Sequence, residues 1–297
     1  MKKIILMGII LVAAALLASS VQQNVQNVQN IVIHRSLFPI VYNDFRSSPK
    51  KGCACAGLGI WGAEKIQSDL GVSFFQDWGM RPSSHATSSF THYKSFRCAY
   101  GFGDRCDWDE LHYIPHDSDE IALFLNEPDG RGQDGISPTE AAGVYFQLRR
   151  ARPRVRWVIG NLAWFKPDYM AEFFSEYERI AVSHINSTDP DISIRPDFYA
   201  YGVHGYGVLE FLPKWEQFLD EQGYHDKPIW VTEHGSCTPG IITQQIALFE
   251  SDPRVEKYFG FAPWAYGGSL GASCLSFYQT LTLPELSEMG REFAENP

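Results

Sequence analysis

The stretch Ile121-Ala-Leu-Phe-Leu-Asn126, followed by Glu127-Pro128-Asp129, is a short apolar run that ends in polar side chains. Its length and the proline and acid that follow it are typical of a buried β-strand. A second run, Pro228-Ile-Trp-Val-Thr-Glu233, has the same form and also ends in a glutamate. Two buried strands that each carry a carboxylate at the carboxyl end indicate a parallel sheet with acids along one edge.

Similar apolar runs recur along the chain and alternate with helical patterns. Six further runs are predicted as strands: Gly57–Trp61, Val72–Trp78, His112–Pro115, Arg156–Leu162, Pro196–His204 and Tyr258–Tyr266. Six amphipathic stretches are predicted as helices: Glu64–Leu70, Thr139–Arg150, Tyr169–Ile180, Lys214–Gln222, Gln244–Glu250 and Pro284–Ala294. Eight strands that alternate with helices predict an α/β fold, a (β/α)8 TIM-type barrel.

The competing architecture is a doubly wound open sheet, but no G-x-G-x-x-G motif follows the first predicted strand. One part of the barrel does not fit the regular pattern. Only His116–Glu120 separate the third and fourth predicted strands, which is too short for a crossover helix. The barrel is therefore expected to be irregular around its third strand.

The amino-terminal region predicts export. Residues 1–20, MKKIILMGIILVAAALLASS, combine two lysines, an apolar run and small residues, as in a signal peptide. The apolar run is shorter than the ~20 residues of a spanning helix, which favours cleavage and no stable membrane insertion afterwards. Residues 21–30, VQQNVQNVQN, predict a flexible polar spacer, and residues 31–297 a single (β/α)8 catalytic domain. The protein is expected to be secreted, extracellular or in the cell envelope.

Composition narrows the function. The chain is 44% hydrophobic and only 20% charged, which excludes a disordered or fibrous protein. Its net charge of −10 argues against nucleic acid as a partner. The basic run of Arg149, Arg150, Arg152, Arg154 and Arg156 is interpreted as complementing a helix carboxyl terminus on a solvated face.

The six cysteines of an exported chain predict disulfides rather than a metal site. Cys237 follows the seventh predicted strand and Cys274 the eighth. Because adjacent strands place these loops side by side, a Cys237–Cys274 disulfide is predicted. The pairing of the other four is left open; they are Cys53, Cys55, Cys98 and Cys106. The Cys53-Ala-Cys55 spacing is not that of a zinc knuckle, and no metal is predicted.

Glu127 and Glu233 end the fourth and seventh predicted strands, which lie across the mouth of a barrel from each other. A protonated acid and an ionised carboxylate placed this way can hydrolyse a glycosidic bond. Asn126 is predicted to hydrogen-bond the sugar 2-hydroxyl. A single strand-end glutamate is more often a solvated loop residue, but two on opposed strands favour catalysis.

The motifs around these glutamates resemble a known family. Phe124-Leu-Asn-Glu-Pro-Asp129, with Ser137-Pro138 and Glu140-Ala-Ala142 after it, resembles the fourth-strand motif of glycoside hydrolase family 128, a group of secreted β-1,3-glucanases in clan A of the retaining glycosidases. Lys227-Pro-Ile-Trp-Val-Thr-Glu233 is similar to the seventh-strand motif, and His204-Gly205-Tyr206 resembles a His-aromatic-Tyr segment.

The resemblance covers roughly residues 57 to 267. It implies a (β/α)8 barrel in which Glu127 is the acid/base and Glu233 the nucleophile of a double displacement. It also implies endo-acting cleavage of β-1,3-glucan without a cofactor. Gly205 stands where the family usually carries an aromatic residue, and His234 stands where phenylalanine is common.

Other residues near the predicted strand ends are candidates for binding the polysaccharide. Trp78, Trp164 and Trp264 could each stack on a pyranose ring, or fill the core instead. His204 and Tyr206 could hydrogen-bond Glu233 or the sugar, and loop packing is the alternative for both. Two other functions stay open: a non-catalytic carbohydrate-binding or cell-wall protein on a glycosidase scaffold, and the same hydrolysis on another β-linked glycan.

Overall fold

The computed structural model describes residues 48–55, 62–81, 90–98, 106–130, 132–185, 193–207, 209–262 and 286–296. The strands of this part of the chain are β1 (Lys51–Ala54), β2 (Phe74–Gln76), β3 (Thr91–His92), β4 (Lys94–Phe96), β5 (Ile121–Phe124), β6 (Arg156–Leu162), β7 (Ala200–Tyr206), β8 (Ile229–Gly235) and β9 (Val255–Phe261). The helices are α1 (Gly62–Leu70), α2 (Pro138–Ala151), α3 (Pro167–Ile185), α4 (Phe211–Glu221), α5 (Ile241–Ser251) and α6 (Glu288–Glu295), with a 3-10 helix at Asp107–Tyr113. All these elements lie within one compact unit, Arg46–Pro297.

The nine described strands form one parallel sheet in the order β3-β2-β1-β9-β8-β7-β6-β5-β4. The two ends of this sheet, β3 and β4, flank Tyr93 in the chain. The main-chain N–H of Tyr93 donates to Phe75 at 2.8 Å, and that of Leu125 donates to Phe96 at 2.8 Å. Residues 91–96 therefore serve as one barrel strand split in two, and the sheet is a nearly closed barrel with an open seam. The predicted TIM-type barrel and its irregular third strand are confirmed.

The position predicted for the third strand was wrong. Part of His112–Pro115 lies in the 3-10 helix, and the third strand is Thr91–Phe96, split at Tyr93. Ile114 of that predicted strand instead packs into the core from the turn after this helix, as Leu111 does from the helix itself. The actual strand reads as polar because it carries Lys94 and Ser95.

The first and last strands also begin earlier in the chain than predicted. The first strand is Lys51–Ala54, which the apolar pattern did not reveal because it begins with a lysine. The predicted strand Gly57–Trp61 lies outside the described residues. The Lys51 ammonium is buried and donates to the carbonyl of Phe293 at 2.7 Å. The last is Val255–Phe261 rather than Tyr258–Tyr266.

Two layers of apolar side chains surround the strands. Inside the barrel, seven residues form a small core: Ala54, Phe74, Leu123, Val158, Ala200, Trp230 and Phe259. The larger core lies between barrel and helices. Helix α2 begins at Pro138, one residue before the predicted start, because Ser137 caps it and Glu140 completes a capping box. These layers fix the strands, and so the side chains at their carboxyl ends.

Two disulfides lie in the described part of the chain, Cys53–Cys55 and Cys98–Cys106. Cys274, the predicted partner of Cys237, lies outside the described residues, as do the predicted signal peptide and spacer, residues 1–20 and 21–30. Among the described residues, no helix has the length and apolar character to cross a membrane.

Candidate active site

The carboxyl ends of four strands bring polar side chains together. Glu127 follows β5, Trp78 follows β2, His204 and Tyr206 lie on β7, and Glu233 lies on β8. His204 is the register partner of Glu233, and the pairing of β7 with β8 shifts beside it. Such irregularities re-aim side chains at strand ends.

Four non-glycine residues of the described chain have a left-handed backbone, and they lie at the carboxyl ends of β2, β5 and β6. The φ angles are 59° at Trp78, 63° at Leu125, 46° at Glu127 and 50° at Asn161. Each such conformation costs roughly 1–3 kcal/mol and persists only where its surroundings hold it. Strain of this kind clusters at functional sites, and here it is concentrated around Glu127.

Asn161 holds the segments that carry both glutamates. Its side-chain N–H groups donate to the main-chain carbonyls of Phe124 and Leu125, each at 3.1 Å. Its main-chain carbonyl accepts from the main-chain N–H of Glu127 at 2.8 Å. Its Oδ1 accepts from the hydroxyl of Thr232 at 2.9 Å, next to Glu233.

Sequence reasoning missed Asn161. The signal for it was an amide side chain inside an otherwise apolar buried strand, where a polar group needs partners. The contact also explains the glycine at position 202, because a Cβ there would lie 1.8 Å from the Asn161 Oδ1.

The two carboxylates lie close together. One oxygen of Glu127, one of Glu233 and a ring nitrogen of His204 all lie within 4.8 Å of one another. The imidazole lies between the acids, with Nδ1 3.2 Å from Glu127 Oε1 and Nε2 3.7 Å from Glu233 Oε1. This separation is near the roughly 5–5.5 Å of retaining glycosidases and well below the 6.5–9.5 Å of inverting ones.

Glu233 is surrounded by hydrogen-bond donors. Its Oε1 accepts from the indole N–H of Trp78 at 2.7 Å, and its Oε2 accepts from the hydroxyl of Tyr206. Its side chain is only 4% exposed. Burial and the charge of Glu233 raise the pKa of Tyr206 well above its usual value, so the phenol stays a donor. Both oxygens of Glu233 are therefore held in place by hydrogen bonds from neutral donors.

Glu127 has a more open environment. Its side chain is 20% exposed, and its hydrogen-bonding neighbour among the described side chains is His204. Burial disfavours the charged form of His204, but the charge of Glu233 and the hydrogen bond to Glu127 outweigh it and raise the pKa of the imidazole. One carboxylate is therefore enclosed and the other reaches solvent, as an acid that exchanges protons requires.

Two buried or partly buried aspartates hold the loops of this site. Asp134 accepts from the main-chain N–H of Asn126 at 2.7 Å and pairs with Arg97 at 2.7 Å. Asp129 accepts from the main-chain N–H of Ala163 at 2.9 Å and pairs with Lys166 at 3.0 Å. The latter contacts fix the loop between β6 and α3, next to Trp164.

The other predicted sugar-binding residues have different fates. Trp164 is 64% exposed on the same face as the glutamates, available for stacking. Trp78 uses its indole N–H on Glu233, a contact that the sequence did not predict. Asn126 is buried, with its main chain bound to Asp134, and its contact with a sugar stays a prediction. Trp264 lies outside the described residues.

Glu127, His204 and Glu233 are also close enough to hold a divalent cation. The two ring nitrogens of His204 each face a different carboxylate, whereas only one of them could ligate a shared ion. The arrangement therefore fits N–H groups directed at the two carboxylates better than it fits a bound metal ion. A cofactor-free reaction stays a prediction.

A buried polar network lies behind these side chains. The Gln245 amide N–H donates to the carbonyl of Gly205 at 2.6 Å, so its Oε1 faces Nδ1 of His234 at 3.2 Å. That arrangement puts the hydrogen of a neutral imidazole on Nδ1. Through Gln245 the network links His234, which follows Glu233, to Gly205, which lies between His204 and Tyr206.

This network predicts a loss of stability in acid. Burial lowers the pKa of His234 to about 4, against an ordinary value near 6.5. Between those values the unfolded chain binds a proton that the folded chain does not, so the free energy of unfolding falls by about 3 kcal/mol as the pH drops from 7 to 4. The variant His234→Phe should lose that part of the pH dependence in urea unfolding measured at several pH values.

The slope of the unfolding free energy against pH decides this prediction. The absolute stability does not decide it, because the variant leaves Gln245 without its donor at every pH. His225→Gln is the control, since His225 is exposed and its ring is solvated in both states. Parallel curves for the parent and His234→Phe would show that His234 does not carry the acid sensitivity.

Comparison with known proteins agrees with this geometry. Residues 59–284 match the model of a family described as the glycosyl hydrolase catalytic core. A search of curated protein sequences finds no match. Solved structures of glycoside hydrolase family 128 share the fold, and one of them is a subgroup I endo-β-1,3-glucanase from Amycolatopsis mediterranei in complex with laminaritriose and laminaribiose. It is 18% identical, with a TM-score of 0.59 over 84% of this chain and 100% of that one.

Two further structures have different functions. A subgroup VII oligosaccharide-binding protein from Trichoderma gamsii is 16% identical, with a TM-score of 0.57 over 87% of this chain and 97% of that one. A subgroup III curdlan-specific exo-β-1,3-glucanase from Blastomyces gilchristii, in complex with glucose, is 20% identical, with a TM-score of 0.51 over 84% of this chain and 99% of that one.

Proposed function

The chain belongs to the glycosyl hydrolase catalytic core family and has the fold of glycoside hydrolase family 128, and on that premise we propose that it is a secreted, retaining endo-β-1,3-glucanase. The observation that carries the proposal is the approach of Glu127 and Glu233 to within 4.8 Å. At that separation no water fits between the anomeric carbon and the second carboxylate, so the carboxylate itself attacks.

The surroundings of the two acids support their separate roles. Glu233 is the nucleophile, because it is the more buried of the two acids and hydrogen bonds from Trp78 and Tyr206 orient its two oxygens for attack. Glu127 is the acid/base, because it is the more exposed acid and has access to the water that the second step consumes. His204 touches both and holds them apart at a fixed distance.

The reaction then follows two displacements. Glu127 gives its proton to the glycosidic oxygen while an oxygen of Glu233 forms a bond to the anomeric carbon and the leaving chain departs. Glu127, now ionised, removes a proton from water, and the water oxygen attacks the same carbon from the side opposite Glu233. The bond between that carbon and the Glu233 oxygen breaks, which frees the sugar. Two inversions restore the β configuration and return both acids to their starting states.

The choice of glucan rests on the fold relatives and on one surface residue. The Amycolatopsis mediterranei enzyme is an endo-β-1,3-glucanase seen with laminari-oligosaccharides. In this chain the exposed ring of Trp164 lies in a loop fixed by Asp129, where it offers a flat apolar face to a pyranose. Asn126 remains the proposed donor to the sugar 2-hydroxyl.

Secretion and cleavage of residues 1–20 form part of the same proposal. The Cys53–Cys55 and Cys98–Cys106 disulfides support it, because such bonds persist in oxidising compartments. A polysaccharide substrate too large to enter a cell also fits an exported enzyme.

A binding protein is the second candidate, because the Trichoderma gamsii relative shares the fold and is an oligosaccharide-binding protein. The strain and the hydrogen bonds around Glu127 and Glu233 argue against it. A site that only binds a neutral sugar needs no carboxylate held by two donors and no second acid beside it.

Incubation of the purified protein with laminarin, lichenan, cellulose and xylan tests the proposal. Laminari-oligosaccharides of several lengths are expected from laminarin, with the β-anomer in excess at early times by proton NMR. Glucose as the sole early product would indicate exo action, and products from another glycan alone would change the substrate. Binding of laminarin with no new reducing ends would favour the binding protein.

A further inference from the structure

A pocket of about 230 Å³ opens at the amino ends of β6, β7 and β8. Its charged and polar lining comes from Arg149, Arg154, Arg156, Asp197, Tyr199 and Lys227. Arg156 begins β6, whereas Asn161 contacts Glu127 near the other end of that strand, so about 16 Å of strand separates the pocket from the carboxylates. A ligand in this pocket therefore takes no part in the glycosidic cleavage.

Positive charge is concentrated in this pocket although the protein as a whole is acidic. Four cationic side chains line it, and Asp197 is the single carboxylate among the lining residues. Asp197 lies 3.0 Å from Arg149 and 3.9 Å from Lys227, so one negative charge is shared by two cations.

Acidic residues also lie near the pocket without lining it, among them Glu256, Asp117 and Asp119, whose main-chain carbonyl accepts from Arg156. Glu256 accepts from the Tyr199 hydroxyl at 2.6 Å and from Trp230 at 2.7 Å, inside the barrel, and Asp117 pairs with His116 at 2.9 Å. Glu256 and Asp117 are thus paired with other groups, and among the residues that line the pocket four cations face one carboxylate.

Contacts with the protein hold the guanidinium groups in place. Arg149 donates to the carbonyl of Val155 at 3.1 Å. Arg156 donates through Nε to the carbonyl of Asp119 at 2.9 Å and lies 5.1 Å above the ring of Tyr199. Because these side chains are already ordered, binding an anion costs less conformational entropy than it would on a set of mobile surface arginines.

We propose that this pocket binds one oxyanion group, a carboxylate or sulfate ester, displayed by an acidic polysaccharide. A pocket of this size holds one such group, and guanidinium groups bind oxyanions through paired N–H donors. The net charge of −10 disfavours a polymer as densely charged as nucleic acid, whereas an acidic glycan with charges spaced along neutral sugars meets less repulsion. The site would anchor the protein to a charged matrix while its opposite face is free.

Isothermal titration at constant ionic strength tests this, with sodium sulfate and a glucuronate-containing oligosaccharide as ligands and neutral laminaripentaose for comparison. Saturable binding of the first two is expected. Arg154→Gln and Arg156→Gln should each raise the Kd by roughly 10-fold, the loss of one charge-assisted contact. Arg150→Gln is the matched control, since it removes the same charge from the same run outside the pocket lining, and should stay within twofold.

Circular dichroism and laminarin hydrolysis accompany each variant, so that loss of the anion site is distinguishable from loss of the fold or of the proposed activity. Equal weakening by Arg150→Gln would overturn the proposal, because it would show diffuse attraction rather than a site. Sulfate binding without binding of the oligosaccharide, or tight binding of a DNA duplex, would also overturn it.

Discussion

Replacement of Glu233 by glutamine is expected to lower kcat on laminarin by at least about 10⁴-fold, equivalent to roughly 5.4 kcal/mol of transition-state stabilisation. The amide keeps the shape of the side chain but cannot form the glycosyl-enzyme ester. Glu233 accepts from the Trp78 indole at 2.7 Å and from the Tyr206 hydroxyl. The variant should still fold around the site, because the amide oxygen can accept from one of these groups and the hydroxyl of Tyr206 can accept from the amide N–H. Initial rates of reducing-end release measure the effect.

Glu120→Gln is the matched control for this variant. Glu120 lies just before the amino end of β5, whereas Glu127 follows the carboxyl end of the same strand, and Glu120 pairs with Lys94 at 2.8 Å. The same chemical change there should alter kcat by less than about threefold, because it is made at the other end of β5 from Glu127. Laminaripentaose should still bind the Glu233→Gln variant, with a Kd close to that of the substrate complex of the parent protein. A Glu233→Gln protein with more than a tenth of the parent activity would exclude Glu233 as the nucleophile.

Replacement of Glu127 by alanine is expected to have an effect that depends on the leaving group. On laminarin, whose leaving oxygen needs a proton, kcat/KM should fall by about 10²–10⁴-fold. On a dinitrophenyl β-laminarioside the first step needs no acid, so the glycosyl-enzyme should form at close to the parent rate and then accumulate, seen as a burst of phenolate. The 20% exposure of Glu127 leaves room for a small nucleophile once the carboxylate is removed.

Sodium azide provides the sharper readout for this variant. It should restore turnover of the Glu127→Ala protein and give the β-glycosyl azide, because azide attacks the glycosyl-Glu233 ester in place of water. The Glu233→Ala protein should instead give the α-glycosyl azide by direct displacement. If the anomers are exchanged between the two variants, the acid/base and nucleophile roles must be exchanged as well.

Much of the barrel could be predicted from the sequence, because buried parallel strands leave a strong local pattern. The apolar runs at β5, β6 and β8 and the capped start of α2 need only neighbouring residues to be recognised. The third strand could not be recognised, since its Lys94 and Ser95 are polar and its burial depends on strands distant in the chain. The first strand was missed for the same reason, because the ammonium of Lys51 is buried only through hydrogen bonds to carbonyl oxygens near the carboxyl terminus.

The sequence by itself predicted the candidate residues for the chemistry: two glutamates at the ends of apolar strands, and His204 and Tyr206 on another strand. Only the tertiary structure decided how they meet. The approach of the carboxylates to within 4.8 Å, the Trp78 contact to Glu233 and the support from Asn161 join residues from strands far apart in sequence. Hydropathy records whether a residue is buried, whereas distances across a barrel mouth depend on the tilt, stagger and irregular pairing of all its strands.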